Sequence, residues 1–315
     1  MTVRIALLAL WSAAMTFAGN QVNTLEVRLL STMLADEGYG EWGFAALVVA
    51  DGHRILFDTG AHPDTVQRNA RELHIDLSNV PDVILSHHHL DHTAGLLTLR
   101  REYSKTNPAA LARAHVGEGI FRSRTDDGSS EANPMIATRR EYESTGGKFV
   151  VYREPRELFP GIWLTGPVPR KYPERNWSGN RKLRLSGGGT AEDNLPEDQS
   201  LVVVTAKGLV VISGCGHAGI INTLEYTRAK VSPAPVYAAL GGFHLFAASD
   251  DTLAWTAAKL KDFGMQNFLG AHCTGIEAVY RLRQLIGLTR KTAAVGAVGG
   301  GFTLSGGLDP GAIAR

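Results

Sequence analysis

Short apolar segments separated by polar turns run through most of the chain, in an order that mixes strands with helices. Two pairs of apolar runs flank a turn dipeptide and predict β-hairpins: Ala45–Ala50 and Arg54–Phe57 about Asp51-Gly52, and Leu201–Thr205 and Leu209–Ser213 about Lys207-Gly208. Further apolar runs predict strands at Leu25–Leu30, Val83–Leu85, Phe149–Tyr152, Ile162–Leu164, Val236–Leu240, Asn267–Leu269 and Phe302–Leu304. Units of strand and helix follow each hairpin, so the chain has two halves of similar kind.

Helical spacing of apolar residues follows several of these strands. Pro63 opens a helix with Val66, Ala70 and Leu73 on one face. Further helices are predicted at Thr93–Arg101, Ile220–Arg228, Thr252–Phe263 and Glu277–Ile286. The segment 167–196 is rich in Pro, Gly, Arg and Asn and is predicted to be a long excursion from the fold. This order predicts an α/β fold, two sheets between helices, in a single domain over residues 21–315.

The first twenty residues differ in character from the rest of the chain. Arg4 precedes an apolar run, Ile5–Phe17, which ends among small residues up to Gly19. This layout predicts a secretory signal peptide over residues 1–20, since the run is shorter than the roughly 20 residues that span a bilayer. An uncleaved anchor and a buried first strand are the alternatives. We therefore expect a mature chain that is periplasmic or secreted and has no membrane span.

Composition narrows the class of protein. Hydrophobic residues make up 44% of the chain and charged residues 20%, which is typical of a soluble globular protein. The formal net charge is +1, so the basic excess of a nucleic-acid-binding protein is missing and no nucleic-acid partner is expected. Two cysteines are too few for a disulfide framework. The chain has eleven histidines, and four of them fall between residues 87 and 92. Such a cluster calls for a specific explanation.

Those four histidines lie in the sequence SHHHLDHTAG, which a predicted buried strand precedes. His87 and His89 are two residues apart, so in an extended chain their side chains point the same way and that of His88 points oppositely. Asp91 and His92 follow where the chain turns into a helix. Imidazole and carboxylate groups in one small volume suit Zn²⁺ or another first-row divalent ion. We expect His88 to pack, or to support a ligand, rather than to bind metal.

At this point the sequence resembles the metallo-β-lactamase superfamily. The family signature His-x-His-x-Asp-His is matched by His87, His89, Asp91 and His92. A strand that ends in Asp-Thr-Gly is matched by Phe57–Gly60, and the resemblance implies that Asp58 steadies a metal-bound histidine from behind. It also implies the family fold, an αββα sandwich of two mixed sheets between helices, with the metal site at one edge of the two sheets.

Further segments resemble one branch of that superfamily, the metal-dependent hydrolases related to dihydropterin ribofuranosylaminobenzene phosphate synthases. These segments are Leu164–Arg170, Glu197–Ser200, Ser213–Gly219, Gly241–Leu245 and Ala271–Gly275. The branch usually has Ser where this chain has Gly216, and it often has His where this chain has Trp42. The second difference would alter the mouth of the pocket.

The resemblance implies two metal positions that hold one or two divalent ions. We expect Zn²⁺, with Mn²⁺ or Fe²⁺ as alternatives. One ion would be held by His87, His89 and His217, and the other by Asp91, His92 and His272.

The bridging carboxylate that the family usually has after the strand Leu209–Ser213 is absent from this sequence, which has Cys215 there. We expect Asp198 to bind metal in its place. Cys215 is the alternative ligand, and otherwise it is a small buried residue behind the ligands; a site with fewer ligands is the third interpretation. His244 ends another apolar strand and is expected to contact the substrate or to bind metal.

Cys215 and Cys273 each lie within two residues of a predicted ligand. Two reduced, buried side chains are the preferred interpretation, and a disulfide is the alternative in an exported protein. The other histidines, His53, His62, His74 and His115, are expected to be surface or structural residues.

Together these features predict an exported metal-dependent hydrolase. A metal-bound hydroxide would attack an ester, lactone, amide or phosphoester, with Asp91 orienting it or accepting its proton and His244 helping to stabilise the oxyanion. Six basic residues between Arg170 and Arg184 suggest a small-molecule substrate that is anionic, although a solvated loop would carry the same charges. The alternative is a non-catalytic metal-binding or sensor module on the same fold. An RNA nuclease and a β-lactamase proper are disfavoured.

Overall fold

The computed structural model describes residues 19–126, 130–176 and 180–314. The predicted signal peptide over residues 1–20 lies outside these residues, apart from Gly19 and Asn20. Residues 177–179 of the basic stretch also lie outside them. Among the described residues, no helix has both the length and the apolar character needed to cross a membrane.

Strands and helices alternate along the described ranges. The strands are β1 Leu25–Ser31, β2 Leu34–Ala35, β3 Ala45–Ala50, β4 His53–Phe57, β5 Asp82–Leu85, β6 Arg113–Gly117, β7 Arg124–Thr125, β8 Lys148–Tyr152, β9 Arg156–Phe159, β10 Ile162–Leu164, β11 Lys182–Arg184, β12 Thr190–Glu192, β13 Ser200–Thr205, β14 Gly208–Ser213, β15 Val236–Gly241, β16 Asn267–Gly270, β17 Ala293–Val295, β18 Ala297–Val298, β19 Gly301–Thr303 and β20 Gly307–Asp309. The helices are α1 Thr65–Glu72, α2 Leu90–Thr93, α3 Leu96–Tyr103, α4 Met135–Ser144, α5 Ile220–Lys230, α6 Asp250–Asp262 and α7 Ile276–Ile286.

Two large mixed sheets contain most of these strands. One has eight strands in the order β20-β19-β1-β3-β4-β5-β6-β8, and the other has seven in the order β17-β16-β15-β14-β13-β10-β9. Both predicted hairpins, β3–β4 and β13–β14, are antiparallel pairs. A small third sheet joins β7, β11 and β12, and β2 pairs with β18.

Apolar side chains divide into three clusters that define the layers of the fold. The central cluster fills the space between the two sheets and includes Phe44, Phe57, Ile212 and Leu240. A second cluster packs α5, α6 and α7 on the outer face of the seven-stranded sheet. A third packs α1, α3 and α4 on the outer face of the eight-stranded sheet. The layers therefore run helix, sheet, sheet, helix, which confirms the predicted αββα sandwich.

Parallel pairing determines where chemistry can be placed. In the first sheet β4 lies parallel to β5, and in the second β14, β15 and β16 are mutually parallel neighbours. The carboxyl ends of parallel strands lie at the same edge of a sheet, so the loops that follow them meet there.

The structure differs from the sequence prediction in several places, and strands such as β6 and β9 were not predicted. The predicted helix 93–101 is two helices, α2 and α3, separated at Gly95, where a Cβ would come within 2.3 Å of the Thr59 carbonyl oxygen. Helix α4 was not predicted, because its sequence MIATRREYES has few apolar positions. The excursion 167–196 is not wholly irregular, since β11 pairs with both β12 and β7.

Candidate metal centre

The predicted site residues follow the carboxyl ends of five strands. Asp58 follows β4 and His87 follows β5 in the first sheet. Cys215, His244 and His272 follow β14, β15 and β16 in the second sheet. Three of these residues, Asp58, His244 and His272, have left-handed backbones with φ of 57°, 48° and 46°.

The first group of candidate ligands consists of His87, His89 and His217, whose donor atoms lie within 4.8 Å of one another. The rings of His87 and His217 have centroids 4.6 Å apart, and His89 lies 5.1 Å from His217. Helix α2 begins directly after His89, and His217 lies in the glycine-rich loop before α5. Residues far apart in the sequence thus meet at one point, as the resemblance implied.

Hydrogen bonds fix which ring nitrogen faces the centre in two of these histidines. Nδ1 of His87 lies 2.9 Å from the Ser86 hydroxyl, and Nδ1 of His217 is bonded to the Asn176 carbonyl oxygen. The Nε2 atoms of both rings are buried and have no hydrogen-bond partner among the described residues. A buried imidazole nitrogen without a partner is costly unless it binds something. These two atoms therefore fit a bound metal ion.

The second group contains Asp91, His92 and His272, and the structure adds Cys215 to it. Nε2 of His272 lies 3.3 Å and Nε2 of His92 lies 3.6 Å from Oδ2 of Asp91. Nε2 of His92 is also buried without a hydrogen-bond partner in the described part of the chain. The centroids of His87 and His92 are 4.2 Å apart, so the two groups adjoin.

Asp58 supports both groups from behind. Its Oδ1 accepts a hydrogen bond from the Ser86 backbone N–H at 2.7 Å, and its Oδ2 accepts one from the Ser86 hydroxyl at 2.7 Å. The same Oδ2 accepts from Nδ1 of His92 at 2.8 Å, which turns Nε2 of that ring toward the centre. Gly214 makes room for this contact, because a Cβ there would come within 2.3 Å of the Asp58 carboxylate.

Electrostatics keep the imidazoles ready to bind a cation. Burial and the neighbouring imidazoles lower the pKa of His87 and of His89 well below the ordinary range. Burial likewise lowers the pKa of His217 to about 3. Burial alone would raise the pKa of Asp91, but the adjacent His92 and His272 reverse that effect and lower it. Neutral imidazoles at His87, His89 and His217 beside an ionised Asp91 are the protonation states that a divalent ion needs. Burial would lower the pKa of His272, but the adjacent Cys273 and Asp91 outweigh burial and raise it to about 10, so this ring must release a proton before it can bind an ion.

Asp198 lies apart from the groups that the described residues form. Its side chain is buried, and Oδ2 accepts a hydrogen bond from the Ala218 backbone N–H at 2.8 Å. Oδ1 has no hydrogen-bond partner among the described residues, and burial raises the pKa of this carboxyl to about 7. We expected the Asp198 carboxylate to be a ligand, but the second group contains the Cys215 thiol instead. Its role as a ligand, and that of Asp198, stay predictions.

Glu197 and Arg124 hold His88, and neither was predicted as a site residue. Nδ1 of His88 lies 2.7 Å from the Glu197 carboxylate, which in turn accepts a hydrogen bond from Arg124 at 2.7 Å. Arg124 is fully buried and also binds Asp193 at 2.7 Å. His88 therefore joins the histidine segment to the small sheet of β7, β11 and β12. Glu197 belongs to the segment Glu197–Ser200, which was the only sequence signal for this network.

The basic residues of the 170–184 stretch have partners within the protein. Lys171 lies 2.7 Å from Glu225, Arg181 lies 2.9 Å from Asp126, and Arg175 pairs with Glu192. The guanidinium of Arg170 donates to backbone carbonyls, including that of Leu195. A negatively charged substrate would have to compete with these internal partners.

Two open cavities adjoin the centre. One of about 540 Å³ is lined by His89 and Asp91. The other, of about 690 Å³, reaches the centre through His244, whose ring lies 4.7 Å from that of His217. His244, Phe246 and Trp255 contribute to its lining. Phe246 is 51% exposed and stands 5.2 Å from the His244 ring and 5.5 Å from Trp42, whose ring is itself 5.0 Å from His272. A path of aromatic side chains thus leads from the cavity to the second group. Phe246 was not predicted as a site residue, because an isolated apolar residue after a strand carries no distinguishing signal.

Comparison with known proteins shows the family to which the chain is related. Residues 43–228 match the family model described as Metallo-beta-lactamase superfamily. A 7,8-dihydropterin-6-methyl-4-(β-D-ribofuranosyl)-aminobenzene-5′-phosphate synthase of Methanocaldococcus jannaschii is 32% identical over 231 residues, which cover 71% of this chain and 76% of that protein.

Solved structures agree with the fold. The crystal structure of Tm1679, a metal-dependent hydrolase of the β-lactamase superfamily, superposes with a TM-score of 0.67 at 29% identity and covers 83% of this chain and 93% of that one. The metallo-β-lactamase fold protein YhfI from Bacillus subtilis has a TM-score of 0.54 at 12% identity, covering 89% of this chain and 98% of that one, and bears on the fold alone.

Proposed function

The chain belongs to the metallo-β-lactamase superfamily, and we propose that it is a metal-dependent hydrolase of a small-molecule substrate. One observation carries the proposal: two adjoining groups of buried donors present four unpartnered Nε2 atoms, on His87, His92, His217 and His272, to a common centre. A non-catalytic sensor on the same fold would need the ligands but not the open cavity beside them.

Two ion positions follow from the two groups. The first would be formed by His87, His89 and His217, and the second by Asp91, His92 and His272 with Cys215 or Asp198 as the further ligand. Zn²⁺ is the proposed ion, because imidazole, carboxylate and thiol together suit it, and Mn²⁺ or Fe²⁺ are the alternatives. When bound, such an ion supplies Lewis acidity, acidifying water and polarising the scissile bond.

The side chains of the protein perform the remaining tasks. Asp91 is ionised and belongs to the second group, which adjoins the first, so it can orient the attacking water or accept its proton. Asp58 holds His92 and Ser86 in fixed orientations. The His244 ring faces the cavity, from which it can donate a hydrogen bond to the developing oxyanion.

The cavity limits the class of substrate. Its volume of about 690 Å³ suits a small molecule rather than a polymer. The scissile group would be an ester, lactone, amide or phosphoester, since each offers an electrophilic carbon or phosphorus atom to an activated water. Basic residues of the 170–184 stretch are already paired with carboxylates of the protein. They favour a negatively charged substrate only if the substrate displaces one of these carboxylates. Export to the periplasm or the medium remains our proposal from the first twenty residues.

The archaeal relative favours a second candidate. It is described as a synthase, and its 32% identity extends over 76% of its length. The same acidic and basic groups could promote a condensation instead of a hydrolysis. A screen that measures both bond cleavage and bond formation separates the two functions.

Substitution of two ligands tests the proposal. The double variant His87→Ala/His89→Ala should lose the ion of the first group and its hydrolytic activity, measured by metal analysis and by a screen of esters, lactones, amides and phosphodiesters. The matched control is His74→Ala, an exposed histidine, which should keep both. Unchanged metal content and turnover in the double variant would exclude this centre as the active site.

A further inference from the structure

We propose that Cys215, Cys273 and His244 form a third ion position, rich in sulfur, beside the two positions described above. The Sγ atoms of both cysteines and a ring nitrogen of His244 lie within 4.8 Å of one another. Both cysteines are free and buried. Cys273 belongs to neither of the other two groups that the described residues form, so its thiol has no part in the proposed hydrolysis.

The distances suit a tetrahedral ion. Sγ of Cys215 lies 3.8 Å from Nδ1 of His244 and 3.0 Å from Sγ of Cys273. Bonds of about 2.3 Å to sulfur and about 2.0 Å to nitrogen place two ligand sulfurs about 3.7 Å apart and a sulfur about 3.5 Å from a nitrogen. The sulfur–nitrogen distance is already close to that value. The two sulfurs would separate by roughly 0.7 Å, whereas a disulfide would require them to approach by roughly 1 Å.

His244 is the residue that favours an ion over a disulfide. Its backbone is left-handed, with φ 48°. In that conformation its backbone N–H donates to Sγ of Cys273 at 3.3 Å, while its ring lies against Sγ of Cys215. His244 therefore contacts both sulfur atoms. Its backbone N–H stabilises a thiolate at Cys273, and its ring nitrogen beside Cys215 can bind a metal ion. A disulfide would use neither contact.

Cys215 connects this position to the second group, which it shares with Asp91, His92 and His272. A thiolate sulfur has several lone pairs and can bridge two ions. Two thiolates and one imidazole are soft ligands that select Zn²⁺ or another thiophilic ion. His244 also lines a cavity of about 690 Å³, which is the side from which water would reach a fourth coordination place.

Zinc content and the cobalt spectrum of the full chain test this position. Wild type, kept reduced and loaded with Zn²⁺, should hold about one equivalent more than Cys273→Ser, because that variant loses only the third position. With Co²⁺ in place of Zn²⁺, the thiolate-to-cobalt absorption should fall by about half in Cys273→Ser, since one of two thiolates is gone. His244→Asn keeps both cysteines and should lose the same equivalent, which covers the case in which Cys273→Ser does not fold.

Equal zinc content and equal absorption in wild type and both variants would overturn the proposal. So would a wild-type protein that, unfolded without reductant, has no reactive thiol, because its cysteines then form a disulfide. The test does not depend on hydrolysis. His87→Ala/His89→Ala should keep the thiolate-to-cobalt absorption. Zinc content and this absorption report on the third position even if the proposed hydrolase activity is not found.

Discussion

The buried histidines determine how this protein responds to acid. Burial lowers the pKa of His217 to about 3 and lowers the pKa of His87 and His89 well below the ordinary 6.5. The folded chain without metal therefore binds fewer protons on these rings than the unfolded chain does below pH 6.5. Under those conditions the free energy of unfolding falls as the pH falls, at about 1.4 kcal/mol per pH unit for each ring.

Chelator-treated protein should therefore lose stability steadily between about pH 6.5 and pH 4. His217→Gln replaces one titrating ring by a neutral side chain, so the slope of unfolding free energy against pH should be shallower by about 1.4 kcal/mol per pH unit. Urea unfolding at a series of pH values measures it. His74→Gln, at an exposed position, should leave the slope unchanged. Parallel slopes for wild type and His217→Gln would contradict the burial argument.

Residue patterns predicted much of the centre but not its details. His217 and His272 were proposed from the resemblance to the metallo-β-lactamase superfamily, which implied two metal positions, together with their places after apolar strands. The choice between Asp198 and Cys215 could not be made from the sequence. It depends on which way each side chain points, that of Asp198 two residues before β13 and that of Cys215 two residues after β14, and a local pattern does not show this.

At the scale of elements, a buried network of charged side chains attaches the small sheet of β7, β11 and β12 to the histidine segment. Arg124, on β7, binds Asp193 and Glu197 in the fully buried network that ends on His88. Burial alone would raise the pKa of Glu197. The contacts with His88 and Arg124 outweigh burial and lower the pKa to about 2. The carboxylate is therefore ionised, and removal of Arg124 would leave buried charge unpaired.

Arg124→Met should destabilise the protein by about 3–5 kcal/mol, because a buried ion pair that loses one partner leaves the other without compensation. The matched control is Arg139→Met, whose partner Glu143 lies 3.0 Å away on the exposed face of α4 and whose loss should cost less than about 1 kcal/mol. Denaturant unfolding measures both, and hydrogen exchange should become faster in β7, β11 and β12 in the first variant alone. Equal effects of the two substitutions would show that the buried network does not stabilise the small sheet.

Elements with strong apolar periodicity were predicted well. Elements that depend on contacts between charged side chains far apart in the sequence were not. The strands of the second hairpin, β13 and β14, are buried along their whole length, so their sequences are nearly continuous apolar runs. Strands β11 and β12 have three residues each and few apolar side chains. Their pairing depends on Arg124 and on distant partners, which a local pattern does not show.

For the whole molecule, the candidate centre joins the two sheets. His87 and His92 come from the first sheet, and His217 and His272 from the second. An ion bound by ligands from both sheets stabilises the folded state only, because the unfolded chain does not assemble the site.

Addition of Zn²⁺ to the chelated protein should therefore raise its melting temperature. At a hundredfold excess over the dissociation constant the gain is about 2.7 kcal/mol. Scanning calorimetry with and without chelator measures it, and His87→Ala/His89→Ala should respond less than wild type. A melting temperature that is the same in both conditions would mean that no ion links the sheets.

The left-handed backbones of Asp58, His244 and His272 have a consequence for the evolution of this chain. A non-glycine residue held at φ between 46° and 57° costs about 1 kcal/mol or more that glycine or asparagine would largely avoid. Selection for thermal stability alone should therefore replace these three residues first. Related proteins that retain these residues are therefore less stable than they could be. Related proteins that have lost them are expected to have lost selection for the chemistry of the centre as well.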